Sequence, residues 1–292
     1  MCDEHTVNDT DAFLRRQAML SRRSFNTLTA VAAAAVLLPA PADAADVTEV
    51  DVSVPTPDGT ADCYFAHPSR GRHPGVIVWP DVVGLRPAFR LMGRRLAQSG
   101  YSVLVVNPYY RSATAPVVPE GASFQDPATR EILMPLARSL SAATHATDAR
   151  AFVEYLDQQE SVDSTRKMGT TGYCMGGPIT LRTAATMPER IGATASFHGA
   201  RLVTDGDDSP HLLVGQMRAS ALIAIAENDD EREPDAKNVL RAAFDQAGLP
   251  AEIEVYAGAM HGWCPPDSRV YNEAQAEHAW SRLLALFAGA LT

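Results

Sequence analysis

Lysine is almost absent from this chain: Lys167 and Lys237 are the only two in 292 residues, and arginine supplies the rest of the positive charge. With 35 acidic against 25 basic residues there is no basic stripe, so a nucleic-acid partner is not expected. Cysteine is also scarce. Cys2, Cys63, Cys174 and Cys264 include no C-x-x-C pair, which excludes the common redox and zinc modules. The longest apolar run, Leu28 to Leu38, is too short to cross a bilayer as a stable helix. No internal repeat or low-complexity linker follows it. What is present, 46% hydrophobic and 21% charged residues, is the composition of a globular domain, and the length suits one large α/β unit.

The first residues read as an address rather than as fold. Ser21-Arg22-Arg23-Ser24-Phe25 is a twin-arginine pattern ahead of the apolar run, and Ala42-Asp43-Ala44 offers small residues where a signal peptidase cuts. Residues 1–44 are therefore expected to be a twin-arginine export signal, handled by the export machinery and cleaved after Ala44, with the mature protein periplasmic or secreted. A disordered basic leader is the alternative, and translation beginning at Met19 is another. Removal leaves 30 acidic and 21 basic residues, a formal charge of −9, and three cysteines. An odd number of thiols in an oxidising compartment leaves one unpaired, and catalysis is a reason to keep it.

From Val47 onward strand and helix patterns alternate, predicting a mostly parallel central sheet with helices on both faces, in one domain over residues 45–292. Val47–Val54 and Ala61–Phe65 flank a turn at Pro57-Asp58-Gly59, and further strands are expected at Gly75–Trp79, Tyr101–Val106, Ile191–Phe197, Ala221–Ala226 and Ala251–Tyr256. Phe89, Met92 and Leu96 share a helical face, as do Ala149, Phe152, Val153 and Leu156. Helices are also expected at about Asp235–Ala247 and Tyr271–Leu291. Ser112–Ser141, with Pro116, Pro119 and Pro127, is the least regular stretch and is expected to carry a lid or binding loop.

Gly172-Tyr173-Cys174-Met175-Gly176-Gly177 lies between a strand and a helix, and Gly-x-nucleophile-x-Gly at such a junction is the nucleophile elbow of the α/β-hydrolases. The bend is tight enough that residues two before and two after the apex must lack bulk. A thiolate at the apex needs a base and the base needs a carboxylate, which arrive in that fold in the order nucleophile, acid, His. Glu227-Asn228-Asp229-Asp230 follows one strand and Met260-His261-Gly262 follows the next. His261 is the candidate base. Asp229 is the chosen acid, with Asp230 the near alternative because sequence does not orient adjacent side chains. The Met175 and Val82 amides are the expected oxyanion donors, and Asp81 is placed to hold the thiol or His261 in one state. His198 is expected either to line the pocket or to be hydrogen-bonded behind it. A metal held by Cys174, His198, His261 and Cys264 has no recognised ligand spacing and is not expected.

With these residues the chain resembles the dienelactone hydrolase (carboxymethylenebutenolidase) family from about Val47 to its end. The likeness is carried by Gly172 to Gly177, Ala226-Glu227-Asn228-Asp229 and His261-Gly262-Trp263, with weaker matches at Pro80-Asp81-Val82-Val83-Gly84 and Asn107-Pro108-Tyr109-Tyr110-Arg111. The resemblance implies a Cys174–Asp229–His261 triad, favours Asp229 over Asp230, and implies cofactor-free hydrolysis of small esters or lactones. Asp81 stands where the family has a Glu that partners the resting thiol, one methylene shorter. The family's carboxylate-binding arginine, four residues after the triad His, is Pro265 here, so Arg111 or Arg130 would have to replace it, and Trp263 is a further substrate-contact candidate. The chain is expected to act as a monomer on a small-molecule substrate, without a metal. The rival reading is a non-catalytic binding protein of the same fold, or a thiol sensor.

Overall fold

The computed structural model describes residues 4–21, 38–39, 41 and 44–292, with side chains 6–16 in the first helix. Eight strands form one sheet: β1 (Val47–Thr56), β2 (Gly59–Pro68), β3 (Gly75–Trp79), β4 (Ser102–Val106), β5 (Met168–Tyr173), β6 (Ile191–Phe197), β7 (Ser220–Ala226) and β8 (Ala251–Tyr256). Their order is β1-β2-β4-β3-β5-β6-β7-β8. β1, β2 and β4 pair antiparallel, and every pair from β4 to β8 is parallel. The chain thus has the α/β-hydrolase fold. The central strands β3 to β6 are fully buried, as strands covered on both faces must be; β3 is a continuous apolar run, and β5 and β6 reach the same burial with glycine, alanine, threonine and serine.

Helices cover the sheet on two sides. On one, α2 (Pro87–Gln98) contributes Phe89, Met92 and Leu96, and α8 (Glu273–Ala290) contributes Leu283 and Phe287. On the other, α4 (Ala142–Asp157), α5 (Gly176–Thr186) and α7 (Ala236–Ala247) present Phe152, Leu156, Ile179, Leu181, Leu240 and Phe244. A Ser141–Thr144 capping box starts α4, and Gly248 in the left-handed conformation ends α7. A third apolar cluster lies over the carboxyl ends of the central strands and includes Val82, Tyr109, Cys174 and Met175.

Three elements differ from expectation. Ser112–Ser141 contains α3 (Pro127–Ser139), which buries Thr129, Leu133 and Ala137 at a spacing of four. Proline at its start suits a helix N-terminus, and Pro135 sits inside it. The acid loop after β7 is itself a short helix, α6 (Glu227–Arg232). The leader, set aside from the fold on sequence grounds, supplies α1 (Glu4–Ser21), whose Thr6 and Thr10 are buried one turn apart. The twin-arginine pair, residues 28–37 of the apolar run, and Ala42 and Asp43 lie outside the described residues. Among the described residues no helix is long and apolar enough to cross a membrane.

Candidate active site

Cys174 has φ +51° at the junction of β5 and α5, and the two glycines around it have steric reasons to be there. A Cβ on Gly172 would lie 2.2 Å from the Gly176 carbonyl oxygen, and one on Gly176 would lie 2.2 Å from that of Trp79. No side chain fits at either place, so the bend holds the sulfur in one position above the sheet.

The imidazole reaches that sulfur from β8. The His261 N–H donates to Asn228 Oδ1 at 2.8 Å, and the Glu227 N–H donates to the Ala259 carbonyl at 2.9 Å, so the loops after β7 and β8 are joined. His261 Nδ1 lies 2.7 Å from Asp229 Oδ2. A carboxylate accepts only, which makes Nδ1 the donor and leaves Nε2 for the sulfur. The Cys174 side chain is hydrogen-bonded to the His261 ring. Burial opposes the charged ring, but the Asp229 carboxylate and Cys174 outweigh it and push the His261 pKa up to about 10. Asp230 is turned away, with both carboxylate oxygens 2.6 and 2.7 Å from Lys237 Nζ.

Val82 and Met175 are both buried beside Cys174, in the same apolar cluster. The Tyr109 hydroxyl anchors this corner by donating to the Val82 carbonyl at 2.8 Å and lies 3.2 Å from Met175 Sδ. Asp81 is near enough to Cys174 to feel its charge, yet its carboxylate is taken. Arg86 Nη1 and Nη2 hold its two oxygens at 2.7 and 3.0 Å, and the Val83 N–H donates to Oδ1 at 2.9 Å. Burial raises the Asp81 pKa and Arg86 opposes the rise. The same guanidinium bonds Asp267 at 2.6 and 3.0 Å, tying the loop after β3 to the loop after His261.

A cavity of about 600 Å³ opens above the sulfur. It is lined by Cys174, His198, His261, Asp81, Val82 and Arg86, by the stretch from Pro116 to Gln125, and by Thr6 of α1. The irregular stretch thus does flank the site. Arg111, Arg130 and Trp263 are not brought to the cavity. Arg111 is a fork between Asp148 (2.6 and 2.9 Å) and Asp58 (2.6 and 3.0 Å). Arg130 donates to the Phe124 and Gln125 carbonyls at 3.0 and 2.6 Å, pinning the cavity wall from behind. Trp263 is fully buried, stacked on Tyr256 at 5.2 Å. Sequence reading overlooked Arg86, Asn228 and Asp9. Asp9 accepts from Asn228 Nδ2 at 3.1 Å and from Arg232, so α1 is fastened to the loop that carries the acid. Cys63 and Cys264 are buried and unpaired, which burial keeps protonated.

The sequence model of the Dienelactone hydrolase family matches residues 61–291. Proteins named "Putative carboxymethylenebutenolidase" from Salmonella typhi and Methylorubrum extorquens are 28% and 26% identical to this chain, covering 81% and 92% of it and 85% and 93% of their own lengths. The crystal structure of the "Putative Dienelactone Hydrolase from Klebsiella pneumoniae" superposes with a TM-score of 0.72 at 25% identity, over 83% of this chain and 99% of that one. A match over nearly all of the sheet and its helices leaves one assignment: this chain belongs to the dienelactone hydrolase family.

Proposed function

We propose that this protein is a cysteine hydrolase of small esters or lactones, with Cys174 as nucleophile, His261 as acid–base and Asp229 as its orienting carboxylate. The observation that carries the reading is the hydrogen-bonded series Cys174–His261–Asp229 beside a cavity of about 600 Å³. An imidazolium beside the sulfur, and the N-terminus of α5 beneath it, both favour thiolate over thiol. The thiolate attacks the acyl carbon, and the Val82 and Met175 amides stabilise the oxyanion. The C–S bond of a thioester forms as the C–O bond breaks, and His261 gives its proton to the leaving oxygen. Water then loses a proton to His261 and displaces the sulfur, which restores the thiolate–imidazolium pair and releases the acid.

The carboxymethylenebutenolidase names of the relatives bring lactones into the candidate set. Because Arg111 and Arg130 are committed to Asp148, Asp58 and backbone carbonyls, a substrate carboxylate is not a requirement of this reading. Export by the twin-arginine route is supported by Arg22-Arg23 and the apolar run behind it, and would deliver residues 45–292 folded with the thiol already enclosed.

The test is a panel of lactones, enol esters and aryl esters assayed with wild type and Cys174→Ala. Turnover after an initial burst, abolished in Cys174→Ala, is the expected result. Stoichiometric acylation without turnover would instead identify a thiol sensor, and unchanged hydrolysis by Cys174→Ala would remove the assignment.

A further inference from the structure

His198 follows the last residue of β6, and the segment that carries it is bonded to the nucleophile itself. The Cys174 N–H donates to the Phe197 carbonyl at 3.0 Å, and the Ala200 N–H donates to the Cys174 carbonyl at 3.3 Å. The His198 N–H is held by the Ala224 carbonyl of β7 at 2.8 Å. Its φ is +40°, a left-handed conformation that costs a side-chain-bearing residue free energy and that recurs at functional sites. The neighbouring Gly199 cannot grow, because a Cβ there would lie 2.2 Å from Ser196 Oγ.

The ring is 1% exposed and lines the same cavity as Cys174 and His261. It stands edge-on to His261, with centroids 5.1 Å apart, and edge-on to Trp263 at 5.0 Å. Neither Nδ1 nor Nε2 has a hydrogen-bond partner among the described residues. An apolar ring would pack between His261 and Trp263 without burying two polar nitrogens, so packing alone does not account for histidine here. Burial and the adjacent His261 both hold its pKa well below the usual imidazole range. It therefore remains neutral while His261 is charged, with one nitrogen donating and the other accepting.

We propose that His198 is a second imidazole that contacts substrate, donating a hydrogen bond to the leaving oxygen that His261 protonates and then to the water that His261 deprotonates. The inference rests on the reading of Cys174 as nucleophile. His198 moves no proton itself. It sits beside the ring that does, on the same cavity, so a single oxygen bound between them can meet both imidazoles. Its contribution grows with the charge that develops on that oxygen, and is largest for leaving groups that depart poorly.

The test uses the full chain in four forms: wild type, Cys174→Ala, His198→Phe and His198→Gly. Phenylalanine keeps the edge-on packing and removes the nitrogens; glycine suits the positive φ and leaves room for added imidazole. His198→Phe is expected to lose about 10–100-fold in kcat/KM on an alkyl ester or unstrained lactone and less than about threefold on p-nitrophenyl acetate. Alkylation of Cys174 by iodoacetamide, whose iodide needs no help, is expected to stay within about twofold. Free imidazole is expected to restore alkyl-ester turnover to His198→Gly, which keeps the question decidable if His198→Phe misfolds. Wild-type alkyl-ester turnover in His198→Phe, an equal loss in all three reactions, or no rescue of His198→Gly would overturn the inference. A wild type without turnover that depends on Cys174 would bring down the underlying reading as well; the other failures leave that reading standing.

Discussion

Asp229 and Asp230 are adjacent on α6, yet only Asp229 faces the imidazole, at 2.7 Å from His261 Nδ1, while Asp230 holds Lys237 Nζ at 2.6 Å. One carboxylate therefore fixes the tautomer that leaves Nε2 for the sulfur, and the other supports the start of α7. Asp229→Asn offers an amide in place of an obligate acceptor and is expected to lower kcat by about 10²–10⁴-fold. Asp230→Asn is expected to leave kcat unchanged and to cost less than about 1 kcal/mol of stability. Steady-state kinetics and urea unfolding of the two variants, side by side, check the assignment; comparable kcat losses would refute it.

The protonation of His261 links the site to folding. Its pKa rises from an ordinary 6.5 to about 10 in the folded chain, so the folded state holds the proton more tightly than the unfolded state. The resulting stabilisation is fully present below pH 6.5 and is lost as pH climbs through about 10. Wild type is thus expected to lose more stability between those two pH values than His261→Gln, measured as the shift in urea midpoint. Parallel losses in the two proteins would contradict a raised pKa.

The elbow was legible because few sequences put glycine two before and two after a cysteine without a bend that demands it, and the 2.2 Å approaches at Gly172 and Gly176 are that demand. The strands were legible because runs such as Gly75–Trp79 are buried on both faces and carry no competing period. α3 was hidden by its prolines, which read as loop although one of them opens the helix. Neighbouring carboxylates on a helix turn differ only in azimuth, so residue order left Asp230 a near alternative; the family resemblance favoured Asp229, and the 2.7 Å contact with His261 Nδ1 agrees with that choice. Arg86 was invisible for a different reason. Its partner Asp267 lies 181 residues away, and no local pattern marks an arginine that bridges two loops.

Arg86 is enclosed between Asp81 and Asp267 and lies 4.9 Å over the Phe89 ring. Its removal strands a carboxylate only 13% exposed beside a sulfur that carries charge in the proposed mechanism. Arg86→Met is expected to destabilise the fold by about 3–5 kcal/mol, and the pair change Arg86→Met with Asp81→Leu to recover much of that loss. Thermal unfolding of the single and double variants checks this. A double variant no more stable than Arg86→Met alone would show that the clamp matters through Asp267 rather than Asp81.

The placement of α1 bears on access to the sulfur. Thr6 lines the cavity, Val7 packs on the cluster that contains Cys174 and Met175, and Asp9 bonds Asn228 and Arg232. The helix therefore covers part of the mouth and touches the loop that positions Asp229, although nothing in the Cys174–His261–Asp229 series comes from it. Weakening its docking by about 1.4 kcal/mol multiplies the undocked fraction about tenfold. Val7→Asp and Asp9→Ala, in the full chain, are each expected to speed the labelling of Cys174 by a bulky maleimide several-fold, with iodoacetamide, small enough to enter past the helix, affected less. Asn8→Ala, on the exposed face of the same helix, is the control and is expected to change neither rate. Mass spectrometry of the Cys174 peptide over time gives both rates. Maleimide labelling as slow in Val7→Asp and Asp9→Ala as in wild type would mean that α1 does not restrict the entrance, and that removing residues 1–44 leaves access to the thiol unaltered.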